Sequence, residues 1–458
     1  MRSAWIKNSD EAIKRVMMRE VGIESIEELF KDIPPEIRLR RELQVGLRAD
    51  GEGVSEYEVI KIAKRVGAEI GNYAVPPFAG IEMCYHVVPS VVKELIYRNE
   101  FYTAYTPYSP EINQGVLQAL FEYQSLMAEL YGVDVVNASM YDGTTALAEA
   151  VRMALRITRR KRVVVSKGVT PIKRRVLRTW LMGLDVELVE VPLDEQGMTS
   201  AERIKKALSR DTAALVIETP NVFGVIETRI SELAEEAHRV GSLLIVFANP
   251  LLLGIVKPPG DLGADIVVGE GQPLGLGLYY GGSALGILGT KRELQFVRQL
   301  PGRLVGMTLT EDKSDVGFAL VLQTREQHIR RERATSNITT NSALFAIAAA
   351  IYLAWLGSDG LRRLSLSIAA RTVYLMNRIR ALDKAELLYP KSAHFMKVGV
   401  RLSNVDEVIA RAREMGVLCG SNLGKYDDEL RGIMSICVTE AHSKRDIDTL
   451  INVLKKVM

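Results

Sequence analysis

The spacing of apolar and polar positions changes along the chain. Residues 1–70 carry short amphipathic stretches separated by polar linkers. Ser25-Ile26-Glu27-Glu28-Leu29-Phe30 reads as one such turn, Pro34-Pro35 breaks it, and Ser55-Glu56-Tyr57-Glu58 opens a helix with a capping-type start. This region reads as an arm that docks on something larger. From about Val133 short apolar runs alternate with amphipathic ones. Strands are expected at 133–137, 162–166, 186–191, 212–217, 242–247 and 265–268, with helices at 144–157, 172–181, 200–209 and 231–240. That rhythm predicts a largely parallel sheet covered on both faces. The glycine cluster YYGGSALGIL predicts a hairpin or tight turn.

The run ALFAIAAAIYLAWL reads as a buried helix, because spanning a bilayer takes about 20 apolar residues. A long helix at 360–382, strands at 386–389, 395–402 and 432–438, and helices at 405–415 and 444–457 complete an α+β tail. The expected organisation is an arm at 1–70, a large α/β domain at 71–357 and a small α+β domain at 358–458.

Charge narrows the functional classes. Lys+Arg total 59 against Asp+Glu 56, a net charge of +3, so no nucleic-acid footprint is expected. The basic cluster Arg159-Arg160-Lys161-Arg162 reads as a solvated helix end. The three cysteines, Cys84, Cys419 and Cys437, form no CxxC pair. That pattern argues against a disulfide framework or thiolate zinc site and for a reducing, cytoplasmic setting. The opening MRSAWIKNSDEAIKR has no apolar signal core, so no membrane attachment is expected.

A large α/β domain with a small α+β domain and an N-terminal arm is one plan of aminotransferase-like enzymes that use pyridoxal phosphate (PLP). Such enzymes need a Schiff-base lysine at one strand end, an acid at another, and a phosphate cup at a helix N-terminus. NASMYDGTT at 137–145 is a candidate cup, with Gly143 permitting close approach and Thr144 and Thr145 adding hydroxyls; a plain capped helix start fits equally. The lysine is missing: Gln272 or a neighbour stands in its place after the 265–268 strand. The acid is missing too, since the 242–247 strand runs into Ala248-Asn249-Pro250. Lys167 follows a strand but reads as solvated.

The most unusual stretch is FYTAYTPYSPEINQGVLQALFEYQ at 101–124, which sets Tyr102, Tyr105 and Tyr108 among prolines ahead of a helix. Ser109 can cap that helix, Pro110 suits its first position, and Glu111 and Gln114 sit at its start. Leu117, Leu120, Phe121, Met127, Ala128 and Tyr131 form its core face.

This stretch, with NASMYDGTTALAEA, ADIVVGEGQPLG and TREQHIRRERATSNITTN, closely resembles the first-subunit branch of the two-subunit glycine decarboxylase family, the P-protein of the glycine cleavage system. The resemblance covers essentially the whole chain. It implies a PLP fold type I architecture. It also implies a job: with a second subunit, the chain decarboxylates glycine and passes the aminomethyl group to the lipoyl arm of H-protein. In that family PLP is held by the lysine of subunit 2 at a shared interface, in an α2β2 assembly, so a chain without its own lysine and acid is expected. The family's Gly-Ala-Gly/Ser-x-Tyr-Asp-His run stands here as Gly80-Ile81-Glu82-Met83-Cys84-Tyr85-His86, which puts any role of residues 81–85 in doubt.

Residue roles follow as expectations. Tyr105, Tyr108 and His86 are candidate catalytic contributors to the shared site, against interface packing for the tyrosines and a structural role for the histidine. Gly281, Gly282 and Ser283 are candidate contacts to the partner's PLP phosphate. Thr106, Glu111, Gln114, Arg325, His328 and Asn337 are candidate substrate or interface residues, and the polar run holding the last three reads as a subunit bridge. Two other classes compete: a stand-alone PLP decarboxylase or aldolase with an unplaced lysine, and a non-catalytic scaffold.

Overall fold

The computed structural model describes residues 5–41, 53–70, 73–282, 284–323, 326–334 and 336–458. The chain separates into two units, Met1–Asn72 and Tyr73–Met458. In the first, helix α1 (Glu11–Val21) starts at Asp10, whose carboxylate accepts from the Ala12 N–H, and stops at Gly22. The turn Ile26–Phe30 is closed by a Ser25/Glu28 capping box. Helix α2 (Glu56–Ile70) starts at Ser55, whose hydroxyl accepts from Glu58 N at 3.3 Å. No residue of α1 or α2 is buried, so the two helices hold no core of their own.

In the second unit, alternating strands and helices build a seven-stranded sheet. Its strands are β1 (Val135–Val136), β2 (Arg162–Ser166), β3 (Glu187–Val191), β4 (Thr212–Thr219), β5 (Leu243–Ala248), β6 (Ile266–Glu270) and β7 (Gly286–Thr290), ordered β1-β7-β6-β5-β4-β2-β3. β2 to β6 pair in parallel, and β7 is antiparallel to both its neighbours. Helix α3 (Ser90–Ile96) precedes the sheet, followed by α4 (Gln114–Tyr131), α5 (Gly143–Thr158), α6 (Pro171–Leu181), α7 (Ala201–Ala207) and α8 (Ile230–Arg239).

Both faces are covered. Val164 packs in one cluster with Leu117, Leu120 and Leu233 of α4 and α8, while Val163 and Val165 pack in another with Leu147, Val151 and Leu177 of α5 and α6. Burial on two sides is why the strands read as unbroken apolar runs.

Of the hairpin or tight turn expected at the glycine cluster, the structure has the turn, Tyr279–Gly281, which leads into β7. Two elements depart from expectation. A true hairpin follows where none was expected, β8 (Val305–Leu309) with β9 (Val316–Leu320). The two expected helices at 343–356 and 360–382 are one run, Ala343–Arg380, interrupted at Gly357, whose φ of 62° and ψ of 179° only glycine adopts without strain. Among the described residues this is the helix long and apolar enough to cross a membrane, yet Ala346, Ile347, Ala348 and Ala349 are buried in the core.

The tail forms a separate antiparallel sheet, β10 (Glu386–Leu387), β11 (Lys397–Arg401), β12 (Ser421–Asn422) and β13 (Ile433–Cys437), ordered β10-β11-β13-β12. It has its own cluster of Val398, Met434, Ile436, Ile447 and Leu450.

Residues 78–86 act as a strap. Its backbone is tied to the small sheet: Cys437 N donates to Phe78 O at 2.8 Å, Gly80 N to Ser421 Oγ at 3.0 Å, and Thr439 Oγ1 to Tyr85 O at 2.7 Å. Cys84 is disulfide-bonded to Cys437, which overturns the exclusion of disulfides drawn from spacing. Cysteines 353 residues apart leave no local pattern to read. From the strap, Glu82 reaches across to the start of α6 in the large domain and pairs with Lys173 and the Thr170 hydroxyl. Lys173 also donates to Glu218 at 3.0 Å, and buried Lys397 donates to Ile81 O. Burial alone would raise the Glu82 carboxyl, but the Lys173 and Lys397 ammonium groups outweigh it and hold it below the usual range. Residues 82 and 84 thus link α6 to the small sheet through an ion pair and a covalent bond. Lys167, expected to be solvated, pairs with Glu429 of the tail at 2.7 Å. Glu82→Ala would leave Lys173 and Lys397 against one carboxylate, and is expected to cost about 3 kcal/mol in a denaturant unfolding curve.

Candidate functional site

The parallel strands β5 and β6 end at the edge where α5 begins, the usual ligand position in an open α/β sheet. The three places a PLP enzyme needs converge here. Asn249 follows β5, Gln272 follows β6, and Gly143–Thr145 open α5. Asp142 caps that helix, accepting from Thr144 N at 2.8 Å and Thr145 N at 2.9 Å. Gly143 N donates instead to Glu270 Oε2 at 2.8 Å. The other Glu270 oxygen accepts from Gln272 N at 3.0 Å and Leu285 N at 3.1 Å. The expected phosphate cup is therefore filled by the chain's own carboxyl groups. Burial pushes the Glu270 carboxyl up to about 7, against the three backbone N–H bonds that favour its anion.

On the Asn249 side the space beside the cup is narrow. A Cβ on Gly143 would lie 3.0 Å from the Phe247 ring. Lys173 sits over that ring, 4.1 Å from its centroid. The cavity left between Asn249, Phe247, Glu270 and Lys397 is about 20 Å³, room for one water. Gln272 donates to Leu276 O, and the Asn249 side-chain oxygen accepts from Leu251 N, so both amides serve local turns. The residues present do not fit PLP at this chain's own cup. In front of it a cavity of about 500 Å³ remains, lined by Glu82, Tyr141, Asp142, Thr144, Glu270 and Gly281 among others.

The Tyr-rich segment borders a second concave surface. A cavity of about 660 Å³ lies between Phe101–Tyr105 and residues 340–347, and it shares Tyr141 and Ser342 with the first. Tyr105 is 78 % exposed, its hydroxyl 3.4 Å from Thr340 Oγ1. Tyr102 packs edge-on against Tyr97. Tyr108 is anchored rather than free. Its hydroxyl accepts from Arg303 Nη2 at 2.6 Å, and the guanidinium lies 4.9 Å from its ring centroid. Arg303 is buried, pairs with Glu326 and donates to Thr339 O. This one side chain ties the Tyr segment to the 326–342 segment.

The remaining candidates separate. Glu111 belongs to a short turn, Pro110–Ile112, ahead of α4, and accepts from the Ser109 hydroxyl at 2.7 Å. Asn113, not Ser109, is the residue that precedes α4. Gln114 is structural: its amide donates to Phe318 O at 2.9 Å and accepts from Phe318 N at 2.8 Å, pinning α4 to β9. Thr106 is half-buried beside Tyr105. His86 lies on the strap, buried, with Nδ1 2.9 Å from Glu440, and does not line the Tyr105 cavity. His328 stands edge-on to Tyr108 at 6.2 Å, and Asn337 is exposed. Gly281 lines the cavity in front of α5 and Gly282 is exposed next to fully exposed Tyr280. Ser283 and Arg325 lie outside the described residues.

Sequence reasoning missed Arg303 and Glu270. A carboxylate at the end of β6, two positions before Gln272, was a readable signal for Glu270. Arg303 had none, because its partners are 23 and 195 residues away.

Fold and strand-edge site together define the class: a PLP fold type I scaffold. A sphingosine-1-phosphate lyase from Burkholderia pseudomallei shares this fold, with a TM-score of 0.64 over 93% of this chain and 94% of its own at 13% identity. The model of the family described as glycine cleavage system P-protein matches residues 4–454, and the chain belongs to that family. A probable glycine dehydrogenase (decarboxylating) subunit 1 from Saccharolobus islandicus is 44% identical, over 99% of this chain and 98% of that protein. The crystal structure of an inhibitor-bound glycine decarboxylase (P-protein) of the glycine cleavage system superposes with a TM-score of 0.88 at 40% identity, covering all of both chains. The chain is thus a subunit of an enzyme family that decarboxylates glycine in the cleavage system.

A raised carboxyl contributes stability at low pH and loses it as pH rises through its folded value. For Glu270 the window runs from its ordinary 4.5 to about 7. Glu270→Gln removes the titration, so its stability relative to wild type is expected to improve between roughly pH 5 and 8, by up to about 3 kcal/mol. Denaturant unfolding at several pH values measures this, and a flat difference would mean the carboxyl titrates like a surface acid.

Proposed function

We propose that this chain is the subunit of glycine decarboxylase that lacks the PLP lysine, and that it completes a site whose cofactor is held by a second subunit. The observation that carries this reading is the filled cup: Glu270 and Asp142 take the N–H donors of α5 a cofactor phosphate would need. An exposed tyrosine wall on the same side, with Tyr105 and Tyr141 beside Thr340, suits a surface completed by a partner. The partner's PLP supplies the electron sink for decarboxylation.

On this reading the carboxyl of glycine leaves as CO2. The aminomethyl carbon bonds to one sulfur of the lipoyl disulfide on H-protein, and the other sulfur leaves as a thiol after taking up a proton. The lipoyl disulfide is the oxidant. This chain's part is to position and to exclude water: Tyr105 faces the cavity, while Arg303 holds Tyr108 and the Thr339 carbonyl in register. Gly281 and Gly282 extend toward the partner beside Tyr280, and an α2β2 assembly of cytoplasmic location completes the proposal. The arm, large domain and small domain divide near residues 70 and 357.

Exchange of the glycine carboxyl carbon with bicarbonate tests it. Neither subunit alone should exchange at the rate of the pair. Full-rate exchange by the second subunit alone would reduce this chain to a scaffold, and PLP fixed by borohydride to this chain alone would make it an independent enzyme. Tyr105→Phe is expected to slow exchange by about tenfold or more with assembly intact. Arg303→Met and Tyr108→Phe should each slow it, and the double variant should be no slower than Arg303→Met, because both remove the same anchor. Fully additive losses would separate the two residues.

A further inference from the structure

The Glu270 carboxyl occupies the place of a ligand, and its surroundings are those of an anion site. It accepts three backbone N–H groups from three elements: the start of α5, the turn after β6 and the approach to β7. α5 is 16 residues long, and its positive end points at this carboxyl. The site is buried but not sealed, since Glu270 also lines the cavity of about 500 Å³ that Thr144, Tyr141 and Gly281 border. We infer that Glu270 is a built-in replacement for a phosphate, and that trimming it uncovers a latent binding site for inorganic phosphate or a phosphate monoester.

The inference rests on the reading that this chain has no PLP lysine of its own, and adds a cause. Loss of the lysine is not what keeps the cofactor out, because Glu270 already takes the N–H groups of the cup. Restoring the lysine alone, as Gln272→Lys, therefore does not restore cofactor binding. An oxyanion that enters after trimming takes over the N–H groups of Gly143, Gln272 and Leu285, which are otherwise left buried and unpaired. Asp142, whose carboxylate holds Thr144 N and Thr145 N, is the like charge that faces it and limits its affinity. Lys173 and Lys397 nearby are already engaged by Glu82, Glu218 and the Ile81 carbonyl.

The test is thermal unfolding of the full chain in rising inorganic phosphate, with sodium chloride matched for ionic strength. Glu270→Ala is expected to unfold below wild type and to recover with the logarithm of phosphate above its Kd, by roughly 3 °C once phosphate exceeds its Kd about 100-fold. Wild type and Glu270→Gln, whose side chains still occupy the cup, should respond no more to phosphate than to chloride. Adding Asp142→Asn to Glu270→Ala should lower the phosphate concentration needed. An equal response in wild type would overturn the inference. So would a Glu270→Ala chain that stays unfolded in phosphate, or a folded one that phosphate does not stabilise. None of these results touches the bicarbonate exchange of the paired wild-type subunits, so the two readings fail separately.

Discussion

The N-terminus of α5 presents backbone N–H groups with no partner inside the helix, at the one edge of the sheet where β5, β6 and the approach to β7 meet. Left open, such donors bind an anion; buried, they must be given an acceptor. Here Asp142 takes two of them, and Glu270 takes the third together with the N–H groups of Gln272 and Leu285. Much of the site follows from this choice. With Glu270 in the cup and Phe247 beside it, the strand ends have no work for a lysine or a pyridinium partner, and amides stand at 272 and 249.

A second constraint holds the tail against the large sheet. Glu82 brings a carboxylate from the strap into a region where Lys173 and Lys397 are already buried, and two ammonium groups with only Glu218 would be an unbalanced charge. The disulfide from Cys84 to Cys437 fixes the strap two residues further on. One short strap therefore carries both cross-links.

The concave wall used by the proposed shared site depends on Arg303. Tyr108 looked like a reacting group because it is aromatic, polar and near a helix start. In the fold its hydroxyl is an acceptor for a buried guanidinium, and Tyr105 is left as the exposed phenol. Gln114 changed in the same way, from a candidate substrate or interface residue to a two-way bond with the backbone of β9. His86 sits on the strap against Glu440, where its contacts are those of a tether.

The sequence by itself determined the alternation of strand and helix, because burial on both faces writes a local apolar run and amphipathic helices write a local period. It also determined what was missing at 249 and 272, since absence at a strand end is a local fact. Its motifs carried the family. Tertiary structure alone decided which donors were already taken and which side chains were held. The disulfide joins residues 353 apart, Arg303 reaches Tyr108 across 195, and Glu270 closes a cup that opens 127 residues earlier. Pairings of that kind are set by how elements pack, and no local spacing records them.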